Sequence, residues 1–189
     1  MKVAIIAWGS LIWEPRNLKS IITEWENANM TIPVEFTGVA KSRKNALTLV
    51  IDFENGTEVP FFYTISKVGF YESIIELAKR ENMGNNIRNI GFVDFNKNII
   101  HTRDKRTAEI FLNFAKEKNF DYVIWTDLEP KFKIISKKEF NFKNALDYLQ
   151  NLKYNAKQEA IKYIENSPIE TNLKKFLIKE KFIKGEKIV

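Results

Sequence analysis

The sequence predicts an α+β fold, with a mixed β-sheet and flanking helices followed by a helical last third. Three observations carry this reading. Short β-branched or period-two apolar runs recur between residues 3 and 126. Between them lie stretches whose apolar residues fall at helical spacing. Beyond Asp127 the helical spacing continues without further strands. The expected division is an α+β domain over residues 1–130, with a helical extension over residues 131–189 packed on it.

Element by element, Val3 to Trp8 is a short apolar run closed by a glycine, the pattern of a buried strand. Leu18, Ile21, Ile22 and Trp25 predict a short helix between Pro15 and Trp25. Val34 to Val39, Ala46 to Phe53 and Val59 to Ile65 read as strands. Asn55-Gly56 between the last two is a hairpin signal, because both residues tolerate the positive φ of a tight turn. Ile74, Ile75, Leu77 and Ala78 give Tyr71 to Arg80 an apolar helical face. A strand over Ile90 to Phe95, a helix over Thr107 to Lys118 and a strand over Tyr122 to Thr126 follow. Asn144 to Leu152 and Ala156 to Glu165 read as helices. Ser167-Pro168-Ile169-Glu170 carries a cap, a first-turn proline and a capping-box glutamate, and predicts a helix running towards Phe182.

Composition narrows the chemistry. The 189 residues are 44% hydrophobic and 13% aromatic, enough to fill a core, which excludes a disordered tail or a disulfide-stapled miniprotein. Cysteine is absent and His101 is the single histidine, so thiolate nucleophiles, disulfides and multi-histidine metal centres are excluded. No metal and no cofactor is expected, and any catalysis falls to carboxylates, hydroxyls, amines or backbone dipoles. The formal charge of +6 is concentrated in residues 150–189, which hold nine lysines, five glutamates and no arginine. Interleaved lysine and glutamate describe a solvated helical face, so no nucleic-acid partner is expected. The apolar run at the amino end is shorter than the roughly 20 residues that span a bilayer and lacks a signal-peptide cleavage pattern. A soluble cytoplasmic protein with no membrane partner is the expectation.

Neither a phosphate-cradling GxxxxGK[ST] loop nor a dinucleotide GxGxxG is present, and Gly9-Ser10-Leu11 lacks the second glycine of a nucleophile elbow. His101 lies in the polar stretch Asn98 to Arg106 and reads as a surface residue. The segment Ala7-Trp8-Gly9-Ser10-Leu11-Ile12-Trp13 stands out, because a strand there enters a Gly-Ser turn ahead of a helix. Such a turn leaves backbone N–H groups unpaired, a nest for a carboxylate or a developing oxyanion. Trp8 and Trp13 are placed to wall it. The same residues also describe an ordinary strand-to-helix turn with two core tryptophans.

This segment resembles the Gly-Ser loop of the γ-glutamylcyclotransferase-like superfamily, whose ChaC-type branch reads Gly-Tyr-Gly-Ser-Leu-Ile-Trp. The departure is Trp8 in place of the tyrosine, which removes that hydroxyl. The family places a catalytic glutamate after a helix and before the next strand, and Glu81, in Lys79-Arg80-Glu81-Asn82-Met83, occupies that place. The resemblance covers residues 3 to 95 and does not extend to the helical third. It implies a mixed sheet or partly closed barrel, and cyclisation of a γ-glutamyl amine or amide to 5-oxoproline without a cofactor. In it Trp8, Gly9, Ser10 and Leu11 hold the substrate and Glu81 is the base. Partial burial, with Met83 near, moves a carboxylate towards the range useful for a base, whereas Arg80 on the same side opposes this. Trp13, Arg43 and Trp125 are further pocket candidates, although Trp125 also reads as core and Asp127 as a turn or cap residue. Two rival readings stand beside the enzyme: a non-catalytic binder on the same fold, and an interaction protein using the lysines from Lys174 to Lys187.

Overall fold

The computed structural model describes residues 1–83 and 87–184. Its strands are β1 (Val3–Ala7), β2 (Glu26–Ala40), β3 (Ala46–Ile51), β4 (Thr57–Ile65), β5 (Ile90–Asp94), β6 (Ile99–His101) and β7 (Tyr122–Thr126). The α-helices are α1 (Phe70–Arg80), α2 (Lys105–Lys118), α3 (Phe132–Ser136), α4 (Phe142–Gln150), α5 (Tyr154–Asn166) and α6 (Asn172–Lys179). The fold is α+β, with the seven strands in one mixed, unclosed sheet of order β3-β2-β4-β1-β7-β5-β6. β1 runs parallel to β7 and antiparallel to β4. The sheet has two edges, β3 and β6, where the resemblance implied partial closure into a barrel. None of the described helices is long and apolar enough to cross a membrane.

The chain forms two compact units, one of Met1–Ile32 with Pro60–Leu128, the other of Pro33–Val59 with the chain from Glu129 onward. The helices of the last third have apolar stripes that need a partner surface. In the second unit β3 supplies one, with α5 packed on it.

In the first unit α1 opens after Gly69, whose carbonyl accepts from the Ser73 N–H and hydroxyl. Phe70, Ile74, Leu77 and Ala78 recur at helical spacing and are buried with Val3, Ile5 and Ala7 of β1 and Ile124 of β7. Each such large side chain taken from water contributes about 1.5–3 kcal/mol. Trp125 follows Ile124 and points to the other face of the strand. There it meets Phe111 of α2, whose neighbours Phe61, Phe114, Tyr63 and Phe120 form an edge-to-face chain. α1 and α2 therefore cover opposite faces of the sheet.

The expected helix from Pro15 to Trp25 is instead a 3₁₀ turn over Arg16–Ser20. Arg16 has a φ of 53°, which an α-helix excludes, and Ile22 already bridges Ser66 as an extended residue. Leu18 and Ile22 are buried, so the apolar spacing reported burial rather than a helix. The expected hairpin at Asn55-Gly56 is also corrected. The turn forms, because the Asp52 carboxylate accepts from the N–H groups of Glu54 and Asn55 and from the Asn55 side-chain amide. However, β3 pairs with β2, and β4 lies on the far side of β2. Gly56 serves close approach here, since a Cβ would stand 2.2 Å from the Asp52 carbonyl oxygen.

Within the first unit the Tyr63 hydroxyl donates to Glu26 at 2.5 Å. That carboxylate, together with burial, pushes the phenol up to about 12. Burial alone also raises Tyr148. In an alkaline titration followed by tyrosine ring resonances, Tyr63 is expected to ionise late, and Glu26→Gln to bring it back towards 10.0. A Tyr63 signal unmoved by Glu26→Gln would show that the carboxylate is not the cause.

In the second unit the predicted cap at Ser167 is displaced. The Ser167 hydroxyl folds back on Ile169, and α6 starts at Asn172 with Thr171 as cap, its side chain accepting from the Lys174 N–H. Lys174, expected on a solvated face, is 1% exposed and donates its ammonium to the Ser167 carbonyl. Lys187, the far end of that lysine-rich stretch, lies outside the described residues.

Glu35 of β2 is fully buried and accepts from the Phe36 and Leu173 N–H groups and the Thr57 hydroxyl. Burial raises its carboxyl above 4.5, against the opposing pull of hydrogen bonds from Thr171, Phe36, Leu173 and Thr57. The folded state thus binds this proton more tightly than the unfolded chain. Glu35 therefore costs stability as pH rises from 4.5 through its raised value, and the cost is relieved on acidification. Glu76, Asp104 and Asp121 are lowered instead, so their contributions are lost only as pH falls below their ordinary 3.8 to 4.5. Glu35→Gln is expected to flatten the dependence of the urea midpoint on pH above 4.5. An unchanged slope would exclude Glu35 as its source.

Candidate functional site

The turn after β1 closes on itself through carbonyls. Ile12 N–H donates to Gly9 O at 3.0 Å and Glu14 N–H to Ser10 O at 2.8 Å. Trp8, Ser10 and Leu11 are buried, Gly9 and Trp13 half-buried. Leu11 belongs to the core under α1. Among the described residues, the amide N–H groups of Gly9, Ser10 and Leu11 have no hydrogen-bond partner. The three are the unpaired leading donors of a short helical turn, a kind of group that can hydrogen-bond an anion or a developing oxyanion.

Glu81 is set by the way α1 ends. Asn82 adopts a φ of 56°, its N–H donates to Lys79 O at 3.0 Å, and Met83 N–H donates to Ala78 O at 2.9 Å. This is a Schellman termination, with Met83 packed onto the apolar cluster. It leaves Glu81 at the helix cap with φ −83° and ψ 5°. The Glu81 side chain is 16% exposed and its Oε1 accepts from Arg80 Nη1 at 2.6 Å. Its other oxygen has no partner among the described residues.

Arg80 connects the two halves. It is 4% exposed, with Nη2 donating to Ser10 Oγ at 3.0 Å. Nε and Nη2 both donate to the Glu14 carbonyl, at 3.2 and 2.8 Å. Two stretches about seventy positions apart therefore meet through one guanidinium, which bonds Ser10 and Glu81 at once. Both influences weighed for the acid are present: its side chain is largely buried after a helix end where Met83 packs on the apolar cluster, and Arg80 lies on the same side as an ion-pair partner. The sequence around Glu81 shows Arg80 only as an influence on that acid, yet a signal for its larger role is present. It follows Leu77 by three positions on the buried stripe of α1, where a charged residue requires partners.

The remaining candidates fall elsewhere. Trp125 is 0% exposed, its ring 4.6 Å from Phe111, and it is core rather than a pocket wall. Arg43 belongs to the second unit, where its guanidinium lies 4.7 Å from the Tyr163 ring centroid. Asp127, read as a turn or cap residue, is buried and accepts from the Thr102 hydroxyl and the Arg103 N–H, steadying the approach to α2. His101 is exposed on β6, stacked on Phe92. No three Asp, Glu or His side chains gather to hold a metal ion among the described residues. In comparisons with known proteins, the chain matches no family model, no curated protein and no solved structure.

Proposed function

We propose that this chain is a γ-glutamyl cyclotransferase-like enzyme that converts a γ-glutamyl amine or amide into 5-oxoproline and the free amine. The observation that carries the reading is the bonding of Ser10 and Glu81 to the same guanidinium, Ser10 belonging to a turn whose Gly9, Ser10 and Leu11 amides have no partner among the described residues. The likeness of residues 7–13 to the Gly-Ser loop of that superfamily supports it. Closure of the sheet into a partial barrel is not part of this support.

In the proposed reaction the substrate α-amine attacks its own γ-carbonyl carbon. The new C–N bond closes the five-membered lactam, and the bond to the leaving amine breaks. Glu81 takes a proton from the α-ammonium through the oxygen that Arg80 does not hold, and the leaving amine takes it up. The amides of Gly9, Ser10 and Leu11 hold the substrate carboxylate or the developing oxyanion, with Trp8 beside them. Because nucleophile and electrophile belong to one molecule, holding the substrate folded supplies much of the acceleration.

The ion pair between Arg80 and Glu81 also favours a second reading, a binder that retains the turn without the chemistry. The full chain incubated with γ-glutamyl amines, γ-glutamyl amides and γ-glutamyl amino acids separates them, with 5-oxoproline and thermal stabilisation measured together. Product release supports the enzyme, stabilisation without product supports the binder, and neither result rejects both.

A further inference from the structure

A guanidinium on the buried stripe of a helix is costly to desolvate unless its donors are satisfied. Arg80 meets that requirement with four bonds, two to the Glu14 carbonyl, one to the Ser10 hydroxyl and one to the Glu81 carboxylate. The acceptors are not distributed at random. Ser10 and Glu14 belong to the turn whose Gly9, Ser10 and Leu11 amides have no partner among the described residues, and Glu81 is the acid that the same guanidinium holds. The Ser10 carbonyl is itself tied to the Glu14 N–H at 2.8 Å, so the Ser10 and Glu14 acceptors move together. A planar fork with donors in fixed directions imposes one relative placement on all of them, which a lysine ammonium on a flexible stem does not.

We propose that Arg80 is a positioning residue, which sets the distance between the Gly9–Leu11 amides and the Glu81 carboxylate. This rests on the reading above only in taking that turn and Glu81 as one site, whatever reaction it performs. Arg80 acts through its partners and touches no reacting atom. Misplacement of reacting groups by about 1 Å costs on the order of 10²-fold in rate. The effect falls on kcat, while KM changes little so long as the amides still hold the substrate.

The test uses the full chain with Arg80→Lys, Arg80→Gly and Ser10→Ala, the last removing one of the four bonds. Amide hydrogen exchange of Ile12 and Glu14, whose N–H bonds close the turn, with α2 as internal reference, reads the turn without reference to any reaction. Exchange there is expected to rise about tenfold in Arg80→Lys, less in Ser10→Ala, with α2 unchanged. Guanidinium ion added to Arg80→Gly below denaturing concentrations is expected to restore protection. For 5-oxoproline release, Arg80→Lys is expected to lose about 10²-fold in kcat at similar KM. If the wild type releases none, the cyclotransferase reading falls and exchange alone decides the role of Arg80. Equal loss of protection in the turn and α2 would mark Arg80 as a core strut and overturn the proposal. Unchanged exchange in every variant would do the same, as would Arg80→Lys turning over an active wild type's substrate at the wild-type kcat.

Discussion

Glu81→Gln is expected to lower 5-oxoproline release by about 10²–10⁴-fold, the range associated with losing a general base. Glutamine keeps the shape of the side chain and an oxygen that accepts from Arg80 Nη1, but it takes no proton at neutral pH. The substitution also removes the negative partner of a guanidinium that is 3% exposed. Weakening a charge-assisted hydrogen bond of this kind by removing the acceptor's charge costs about 1–3 kcal/mol. That is small beside the roughly 5–15 kcal/mol by which such domains are stable, so the variant stays folded at assay temperature. Activity and melting are therefore expected to separate. Product formation per molecule, measured beside a melting curve, checks this, and turnover near the wild-type rate in Glu81→Gln would remove Glu81 as the base.

Gly91→Ala is expected to be the most damaging single-methyl change in the first unit. A Cβ at Gly91 would stand 2.1 Å from Trp125 Cε2 and 2.4 Å from Nε1. The indole is fully buried and backed by Phe111, so it has nowhere to retreat. Overpacking of this kind costs about 1–3 kcal/mol or more, and each kcal/mol lowers Tm by about 2–4 °C in a chain of this size. Trp125→Phe in the same chain is expected to recover part of the loss, with a coupling of about 0.5–3 kcal/mol between neighbouring sites. A Gly91→Ala melt coinciding with that of the wild type would contradict the packing. This also bears on function, because a tryptophan lining a ligand site would have room to move.

Much of the fold was legible locally. β1, β7, α1 and α2 follow from apolar runs and helical spacing within a residue or two of their observed ends. The short β6 and α3 were not anticipated, since neither is long enough to show a period. Thr171 rather than Ser167 caps α6 because the buried Glu35 accepts from the N–H of Leu173 in its first turn, a partner 138 positions away. No capping pattern within the segment reports that. The candidate site was legible to a similar degree. The Gly-Ser turn and Glu81 stand out as sequence, whereas the four bonds of Arg80 join residues as far apart as 70 positions.

By itself the sequence determined what chemistry is open to this protein, through the absence of cysteine and the single histidine, and where the chain turns and which residues seek burial. Only the tertiary structure decided which strands pair, that Trp125 is core, and that Arg80 joins the turn to the acid. Propensity and period are properties of a few neighbouring residues. Pairing order and the satisfaction of a buried charge depend instead on which distant segments compete for the same surface.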